Sequence, residues 1–414
     1  MYHDNTGTPS SNKADRHQDT ITDLPLLDTI AVCLTTGKPW DVVAATISGD
    51  CLILSKSGNI SDEDEAAVGL FFSEVKRQGR GCIIGSLSQG SNWTIALPFL
   101  FSHSKANANK RLSRVHRAIT DLFDDLCAKV TSYSETSILD EFHDAMSWIK
   151  HPHQGETVGS ILMRAIRTCR ELSLMRVQPD TVSQSKFLEV IAFASILSKS
   201  RFLSEITADW ILSERTKTLK GRLDKLCQYT RVDWVISKLQ QIPDLRFRWT
   251  PSSELWITPF SPEQIQLLKL RVPNLLDIWV EYKYFKPRLH AELRLILHLY
   301  STLPITSGQF PIGCSKRSCF CCTVWIGVFN EANKSSWMTS GSHGKPYPNC
   351  AFPGNVDLKL NELVLQQITV RLADTLRSLM PMKTRRLSDE QVSSSESEDA
   401  VDPVRDQLDS FSPS

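Results

Sequence analysis

Two segments decide how this chain is read: Pro-Arg-Leu-His-Ala-Glu-Leu-Arg-Leu-Ile-Leu-His-Leu-Tyr at 287–300, and Phe-Pro-Ile-Gly-Cys-Ser-Lys-Arg-Ser-Cys-Phe-Cys-Cys at 310–322. The proline that opens the first segment cannot lie in a helix interior, so we expect an apolar helix to begin at about His290. In the second segment Ser318 precedes another apolar run, which predicts a helix with Ser318 as its N-cap. Polar residues that bind metals therefore cluster at two predicted helix starts.

These residues have the chemistry of a catalytic zinc site. His290 offers an imidazole nitrogen, and Cys319 and Cys322 offer thiolates that their i, i+3 spacing places on one face of a helical turn. Three protein ligands leave a fourth position for a water, whose pKa zinc lowers towards about 7. Glu292 is the predicted catalytic residue, which would move protons without binding the metal. A His-x-Glu followed by a Cys-x-x-Cys is the signature of zinc-dependent deaminases, so Zn2+ is the expected cofactor.

A closed zinc site is the alternative. A fourth protein ligand would make the zinc structural, and the sequence offers four such residues: Cys314, Cys321, His343 and Cys350. Cys321 also lies inside the Cys-x-x-Cys pair, so the spacing alone leaves open which cysteine binds. His298 lies too far along the helix from His290 for the same metal. Three hypotheses follow: an active deaminase, a deaminase-like binding or regulatory protein with a structural zinc, and a helical interaction protein with coincidental cysteines.

The sequence resembles the cytidine deaminase-like superfamily, and more specifically the OTT_1508-like deaminases of fungi and some bacteria. One departure is Ser318, because the general signature has a proline there. The resemblance implies hydrolytic deamination of a nucleobase in a nucleotide, nucleoside or nucleic acid. It covers about 289–353 and rests on these motifs: His290-Ala-Glu292, Gly313-Cys-Ser-Lys316, Cys319-x-x-Cys322, and Gly341-Ser-His343-Gly-Lys345 followed by Tyr347-Pro348.

The resemblance also implies an α/β fold of three α/β/α layers around a mixed sheet, in which a helix and a β-hairpin precede the His-x-Glu helix. The nearest upstream sequence is helical, so we expect residues 24–57 to supply that helix and a hairpin that turns at Gly49 and Asp50. A large all-α block would then be inserted between the two parts. This requires residues 42–56 to pair with the strand near 310–313. A hairpin over 247–258 is the alternative.

The predicted organisation follows from these assignments. Short strands are expected at 82–84 and 93–97, and Pro381 is expected to end the last helix. The predicted regions are a disordered N-terminus (1–23), a helix plus hairpin of the deaminase sheet (24–60), a mainly helical region (61–284), the zinc deaminase-like core with a C-terminal helix (285–381), and a disordered serine-rich acidic tail (382–414).

Composition restricts the partners and the compartment. No apolar run is long enough to span a bilayer, and residues 1–18 lack the apolar centre of a secretory signal. We therefore expect an intracellular protein, cytoplasmic or nuclear, with no membrane partner. In a reducing compartment the 11 cysteines are thiols or metal ligands, and four of them crowd into 314–322.

Charge leaves the form of the substrate open. The formal net charge is +1, so the chain as a whole lacks the basic balance of a nucleic acid-binding protein, although a local basic groove stays possible. The predicted partner is a nucleobase-containing small molecule or a nucleic acid, and the oligomeric state is not predicted. His343, Lys345 and Lys316 are the candidate substrate contacts. The cations of the helical block, Lys110, Arg111, Arg114 and Arg117 among them, are interpreted as a solvated helix face.

Overall fold

The computed structural model describes residues 24–38, 41–81, 91–133, 137–148, 156–242, 244–251, 266, 288–302, 309–347, 350–353 and 358–389. The chain divides into two units, Met1–Asn361 and Glu362–Ser414. The first unit contains the sheet, the helical block and the candidate site. The second contains the part of the last helix that follows Asn361. No helix within the described residues is long and apolar enough to cross a membrane.

A five-stranded mixed sheet lies in the first unit, with the strand order β3-β2-β1-β4-β5. The first two strands form the predicted antiparallel hairpin, and Gly49 has a positive φ of 60° in its two-residue turn, a conformation that favours glycine. β3 lies parallel to β2, and β5 lies parallel to β4. The strands are β1 (Val43–Ser48), β2 (Cys51–Lys56), β3 (Arg246–Trp249), β4 (Gln309–Cys314) and β5 (Ser336–Thr339).

The N-terminal hairpin joins the strand that leads to the cysteine motif. β1 pairs antiparallel with β4 through Ala44 with Cys314 and Ala45 with Gly313. This is the pairing that the insertion hypothesis required. The alternative hairpin is only partly described: its first arm lies in β3, which pairs with β2 in the same sheet, whereas 255–258 lie outside the described residues. The domain boundaries themselves stay predictions.

Helices make up most of the rest of the described chain. Two short 3-10 turns, His143–Trp148 and Gln228–Arg231, interrupt the helical block. The helices are α1 (24–33), α2 (Asp62–Gly81), α3 (Ser91–Ser102), α4 (Lys105–Thr120), α5 (Phe123–Thr131), α6 (Ile138–Glu141), α7 (Val158–Leu172), α8 (Thr181–Lys199), α9 (Arg201–Ala208), α10 (Ser213–Cys227), α11 (Val232–Gln240), α12 (Ala291–Thr302), α13 (Phe320–Asn333) and α14 (Leu358–Asp389). The predicted fold class, α/β with a mixed sheet and a large helical block, is confirmed.

The helical block shares its apolar core with the sheet. One cluster of buried side chains runs from α1 through β1 and β2 to α11. The strand predicted at 93–97 is wrong, because these residues lie in α3, which packs against α2 and α11. Such a short apolar run has no periodicity that separates a buried strand from a buried helix, and here the helical neighbours decide. The strand predicted at 82–84 lies outside the described residues.

The last helix is longer than predicted. α14 continues through Pro381 and ends at Asp389. A proline removes one backbone hydrogen bond of a helix, and the flanking Met, Lys, Arg and Leu residues are good helix formers that allow the helix to resume. The expectation that Pro381 ends this helix is therefore wrong.

Candidate functional site

His290 lies at the start of α12, as predicted. The His290 carbonyl accepts a hydrogen bond from the Arg294 N–H at 3.1 Å, so the first helical turn closes on His290. The Ala291 N–H donates to Ser57 Oγ at 3.1 Å, and Ser57 directly follows β2. α12 also packs against β1, β2 and β4. The N-terminal hairpin therefore positions the helix start that carries the histidine.

Cys319, and not Ser318, is the N-cap of α13. The Cys319 sulfur accepts the Cys322 N–H at 3.4 Å, and the backbone of Cys319 is extended. Ser318 instead forms an isolated bridge with Ser342. Because the cap is a sulfur, the two predicted ligand cysteines lie side by side at the helix N-terminus, where the helix dipole stabilises a thiolate.

Four side chains bring metal-binding atoms together: His290, Cys319, Cys322 and Cys350. These atoms lie within 4.8 Å of one another. His290 Nδ1 is 3.1 Å from Cys322 Sγ and 3.5 Å from Cys319 Sγ, and the two sulfurs are 3.4 Å apart. The Cys350 sulfur is 3.9 Å from that of Cys319 and 3.8 Å from that of Cys322. Three sulfurs and one imidazole nitrogen are a donor set that suits zinc, and Zn–S bonds of about 2.3 Å in a tetrahedron place sulfurs about 3.8 Å apart.

Cys350 reaches this cluster through its backbone. Cys350 forms a parallel bridge with Arg288, and the Ala351 N–H donates to the Arg288 carbonyl at 2.9 Å. Arg288 precedes His290 by two residues, so this bridge sets the Cys350 sulfur beside the imidazole. The sequence named Cys350 among four possible fourth ligands without choosing between them. Within the described residues, the other three lie outside the group of converging donor atoms.

Glu292 is buried beside the cluster, with only 3 % of its surface exposed. Burial raises the pKa of its carboxyl above the ordinary value, against the charge of His290 and a hydrogen bond with Cys322, which both lower it. A carboxyl in such a site accepts and returns a proton more readily at neutral pH than an exposed one. The arrangement therefore places a buried carboxyl with a raised pKa next to the donor atoms.

Hydrogen bonds and burial within the cluster shift the pKa values of its cysteine thiols in opposite directions. Hydrogen bonds from Cys321 and Cys322 hold the pKa of Cys319 well below its ordinary value. Burial raises the pKa of Cys322, and the hydrogen bond with Cys319 raises that of Cys350. Cys319 is therefore the thiol of the cluster that loses its proton most readily.

The glycine-flanked loop after β5 covers the start of α13. Ser318 donates its N–H to the Gly341 carbonyl and accepts from the His343 N–H, both at 3.2 Å, and the Phe320 N–H donates to the Lys345 carbonyl at 3.1 Å. Gly341 and Gly344 have φ angles of 113° and 70°, which favour glycine. The loop is thereby fixed against the helix start that carries the cysteines.

His343 lies outside the group of converging donor atoms and is connected to His290 through the ring of Tyr347. Its ring contacts Tyr347 edge-on at a centroid distance of 5.0 Å, and Tyr347 contacts the His290 ring at 6.1 Å. Its buried Nε2 has no hydrogen-bond partner in the described part of the chain. Lys316 precedes α13 in the sequence and Lys345 follows it, and both side chains are exposed. His298 lies outside the group of converging donor atoms. The roles of His343, Lys345 and Lys316 stay predictions.

One comparison with known proteins gives a match, and it covers the segment that contains the cluster. Residues 289–354 match the sequence model of the OTT_1508-like deaminase family. The matched segment contains all four converging donors and Glu292, and it confirms the resemblance for this part of the chain. Searches of curated proteins and of solved structures gave no significant match.

Proposed function

We propose that this deaminase-like protein is a zinc-dependent hydrolase that removes the exocyclic amine of a nucleobase in a nucleotide, nucleoside or nucleic acid. The observation that carries this proposal is Glu292, which is 3 % exposed and has a hydrogen bond with Cys322, one of the four convergent donors. Burying a carboxylate costs several kcal/mol in real proteins, and a site that only holds a structural metal needs no such group. A buried acid next to zinc ligands is what hydrolytic deamination uses.

His290, Cys319 and Cys322 would hold the zinc through one nitrogen and two sulfurs. Their separations of 3.1, 3.4 and 3.5 Å fit the edges of one coordination sphere. Zinc bound there would lower the pKa of a water towards about 7 and supply a nucleophile at neutral pH. The dipole of α13 adds to the stabilisation of the thiolates.

Glu292 would carry the protons of the reaction. It takes one proton from the attacking water and delivers it to the ring nitrogen beside the carbon under attack. It then takes the remaining hydroxyl proton and gives it to the departing amine. The C–N bond breaks, a C=O bond replaces it, and ammonia leaves, so one water is consumed with no net change in protons. The raised pKa of Glu292 suits both directions of transfer.

A structural zinc site is the second candidate function, and Cys350 favours it. The Cys350 sulfur lies 3.8 and 3.9 Å from the other two sulfurs, where a fourth corner of a tetrahedron would be. Four protein ligands would leave no position for water. The chain would then be a deaminase-like binding or regulatory protein.

Metal analysis and a matched variant separate these functions. We expect about one zinc per purified chain, lost in Cys319→Ser and kept in Glu292→Gln. Glu292→Gln preserves size and burial but cannot carry a proton, so deamination in a screen of nucleosides, nucleotides and oligonucleotides should fall by about 10²- to 10⁴-fold. Zinc without turnover of any base, in wild type and in Cys350→Ser alike, would support the structural site. Absence of zinc from the wild type would refute both.

A further inference from the structure

A cluster of exposed or half-exposed cations converges from three segments of the first unit. α4 contributes two, α10 contributes two, and the loop between β4 and α13 contributes two. We call this cluster the basic surface; its members are Lys110, Arg114, Arg222, Lys225, Lys316 and Arg317.

Packing between α4 and α10 fixes the first four members. The Arg111 guanidinium donates from Nη1 to Gln228 Oε1 at 2.9 Å and to the Lys225 carbonyl. Leu112 and Val115 are buried on the opposite side of α4. Lys110 and Arg114 are four residues apart, so they share the exposed face.

α1 connects this pair of helices to the loop that carries the other two members. Asn107 Nδ2 on α4 donates to the Val32 carbonyl of α1 at 3.3 Å. One turn earlier in α1, Asp28 Oδ1 accepts the Cys314 N–H at 2.8 Å, two residues before Lys316. The cations of α4 and of the loop are thereby held on one connected piece of structure.

The cations of the basic surface form no ion pairs within the described residues. Among the described residues, none of its six members has a carboxylate oxygen within ion-pair distance. Some exposed arginines elsewhere are paired, as Arg201 is with Glu205 at 2.9 Å and Arg246 with Asp50 at 2.8 Å. Like charges spaced four residues apart destabilise a helix, so an uncompensated cluster is a cost to folding. This cost is explained if the surface binds an anion.

The cations lie close enough to affect each other's protonation. Partial burial and then neighbouring cations hold the pKa values of Lys110, Lys225 and Lys316 below the ordinary lysine value. Asp41 is within electrostatic range of Lys316, and Asp28 is within electrostatic range of Arg317. Asp41 also pairs with Lys56, a cation that it shares with Asp64. Two carboxylates beside six cations leave the surface with net positive charge.

The basic surface continues to the candidate site. Lys316 lies three residues before Cys319. Its loop is held to α1 by the hydrogen bond from the Cys314 N–H to Asp28 Oδ1 at 2.8 Å and leads into Cys319, the N-cap of α13. A polyanion that lies along α4 and this loop would pass the donor cluster.

We propose that the basic surface binds the phosphate backbone of a single-stranded nucleic acid, so that the substrate is a base within a strand. The choice of a base as substrate rests on the proposed function. A deaminase acts on a base that is out of its duplex stack, which favours a single strand. A row of cations matches the regular charges of a nucleic acid backbone, whereas a free nucleotide would engage only its own phosphate.

Fluorescence anisotropy of the full chain with labelled single-stranded DNA or RNA tests this proposal. The test variant is Lys110→Gln/Arg114→Gln/Arg222→Gln. The matched control, Arg77→Gln/Arg201→Gln/Arg246→Gln, removes the same charge from paired arginines elsewhere. Each lost phosphate contact changes the slope of log K against log salt by about 0.7, so the test variant should bind about 100-fold more weakly at about 0.1 M salt, with a slope smaller by about 2. The control should bind like the wild type.

Two outcomes would refute binding at the basic surface. The test variant could bind the oligonucleotide with the same affinity as the wild type, or the test and control variants could lose the same amount of affinity. Binding to phosphatidylserine vesicles without binding to oligonucleotides would overturn the assignment to nucleic acid. Lys225→Gln/Arg317→Gln provides a second test variant, and circular dichroism checks that each variant folds.

These experiments distinguish a failure of the proposed deaminase function from a failure of nucleic acid binding at the basic surface. Binding does not need turnover, so Glu292→Gln should keep the wild-type affinity. Deamination of a mononucleotide by a zinc-loaded chain that binds no oligonucleotide would refute only the surface. Oligonucleotide binding with the expected slope by a chain that contains no zinc would sustain the surface and refute only the proposed function.

Discussion

Gly313→Ala tests the contact that joins α1 to the strand leading into the cysteine motif. A Cβ atom at Gly313 would lie 2.0 Å from the Leu27 carbonyl carbon, 2.3 Å from the Asp28 nitrogen and 2.4 Å from the Leu27 Cβ. Two of these atoms are backbone, so no side-chain rotation relieves the overlap. The helix itself has to move away from β4.

The magnitude follows from these distances. An ordinary contact of a Cβ atom begins at about 3.4 Å, so α1 would have to shift by more than about 1 Å, and overpacking of this kind costs about 1–3 kcal/mol. The shift would also strain the hydrogen bond from the Cys314 N–H to Asp28 Oδ1, 2.8 Å long, and a lost hydrogen bond adds about 1 kcal/mol. We expect Gly313→Ala to lower the free energy of unfolding by about 3 kcal/mol.

Urea denaturation followed by tryptophan fluorescence measures this loss, and Gly327→Ala is the matched control. Gly327 lies in α13, and an added Cβ there meets nothing within 4 Å. Alanine in a helix interior is about 0.5–1 kcal/mol more favourable than glycine, so the control should be unchanged or more stable. A Gly313→Ala variant as stable as the wild type would refute the packing of α1 against β4.

Three further predictions concern buried charges and the fourth sulfur. Lys56→Met leaves Asp41 and Asp64, whose side chains are 4 % and 11 % exposed, without their cation, so urea denaturation should show a loss of about 3–5 kcal/mol; a loss below about 1 kcal/mol would contradict the ion pairs. Burial raises the pKa of Asp64, but hydrogen bonds from Lys56 and Ser61 outweigh it and the pKa lies below its ordinary value. The resulting stabilisation is fully present above the unfolded-state pKa of about 4 and is lost as the pH falls below it, which Asp64→Asn should abolish in a pH series of unfolding experiments. Cys350→Ser should keep about one zinc per chain, and the visible spectrum of its cobalt(II) form should lose the intensity of one thiolate if Cys350 binds; an unchanged spectrum would exclude Cys350 as a ligand.

Local sequence signals predicted the elements that carry the site. The hairpin followed from two β-prone runs around Gly49 and Asp50, and the start of α12 followed from the proline before it. Ser61 and Asp64 also form a capping box at the start of α2, exchanging hydrogen bonds at 3.1 and 3.2 Å, and the Ser-x-x-Asp spacing is a local signal of this kind. These features depend on a few neighbouring residues, so the sequence is sufficient to find them.

Features made by distant residues were harder to predict. Cys350 joins the cluster because its backbone pairs with Arg288, and no local pattern marks that bridge. The pairing of β1 with β4 was predicted only from the fold that the family resemblance implies, because no local sequence pattern indicates it. The N-cap of α13 is Cys319 and not the predicted Ser318, because Ser318 forms the bridge to the glycine-flanked loop.

Net charge concealed the basic surface. The whole chain carries +1, and the cations of α4 alone suggested an ordinary solvated face. Acidic residues elsewhere in the chain balance the count, and several of them pair with arginines outside the basic surface. The charges form one surface because α10 packs against α4 and because α1 connects α4 to the loop before α13.

The two proposed functions differ in whether the Cys350 sulfur or a water would occupy the fourth position on the zinc. Zinc held by His290, Cys319 and Cys322 needs a fourth partner, and the geometry offers the Cys350 sulfur where a water would have to bind. Glu292 is buried beside the cluster and has a hydrogen bond with Cys322. In the proposed deaminase a water has to take the fourth position, so Cys350 would not be a ligand during turnover. In the structural alternative Cys350, which its backbone bridge to Arg288 holds beside the segment of His290, would stay bound to the zinc. Zinc content and turnover of Cys350→Ser therefore decide between the two functions.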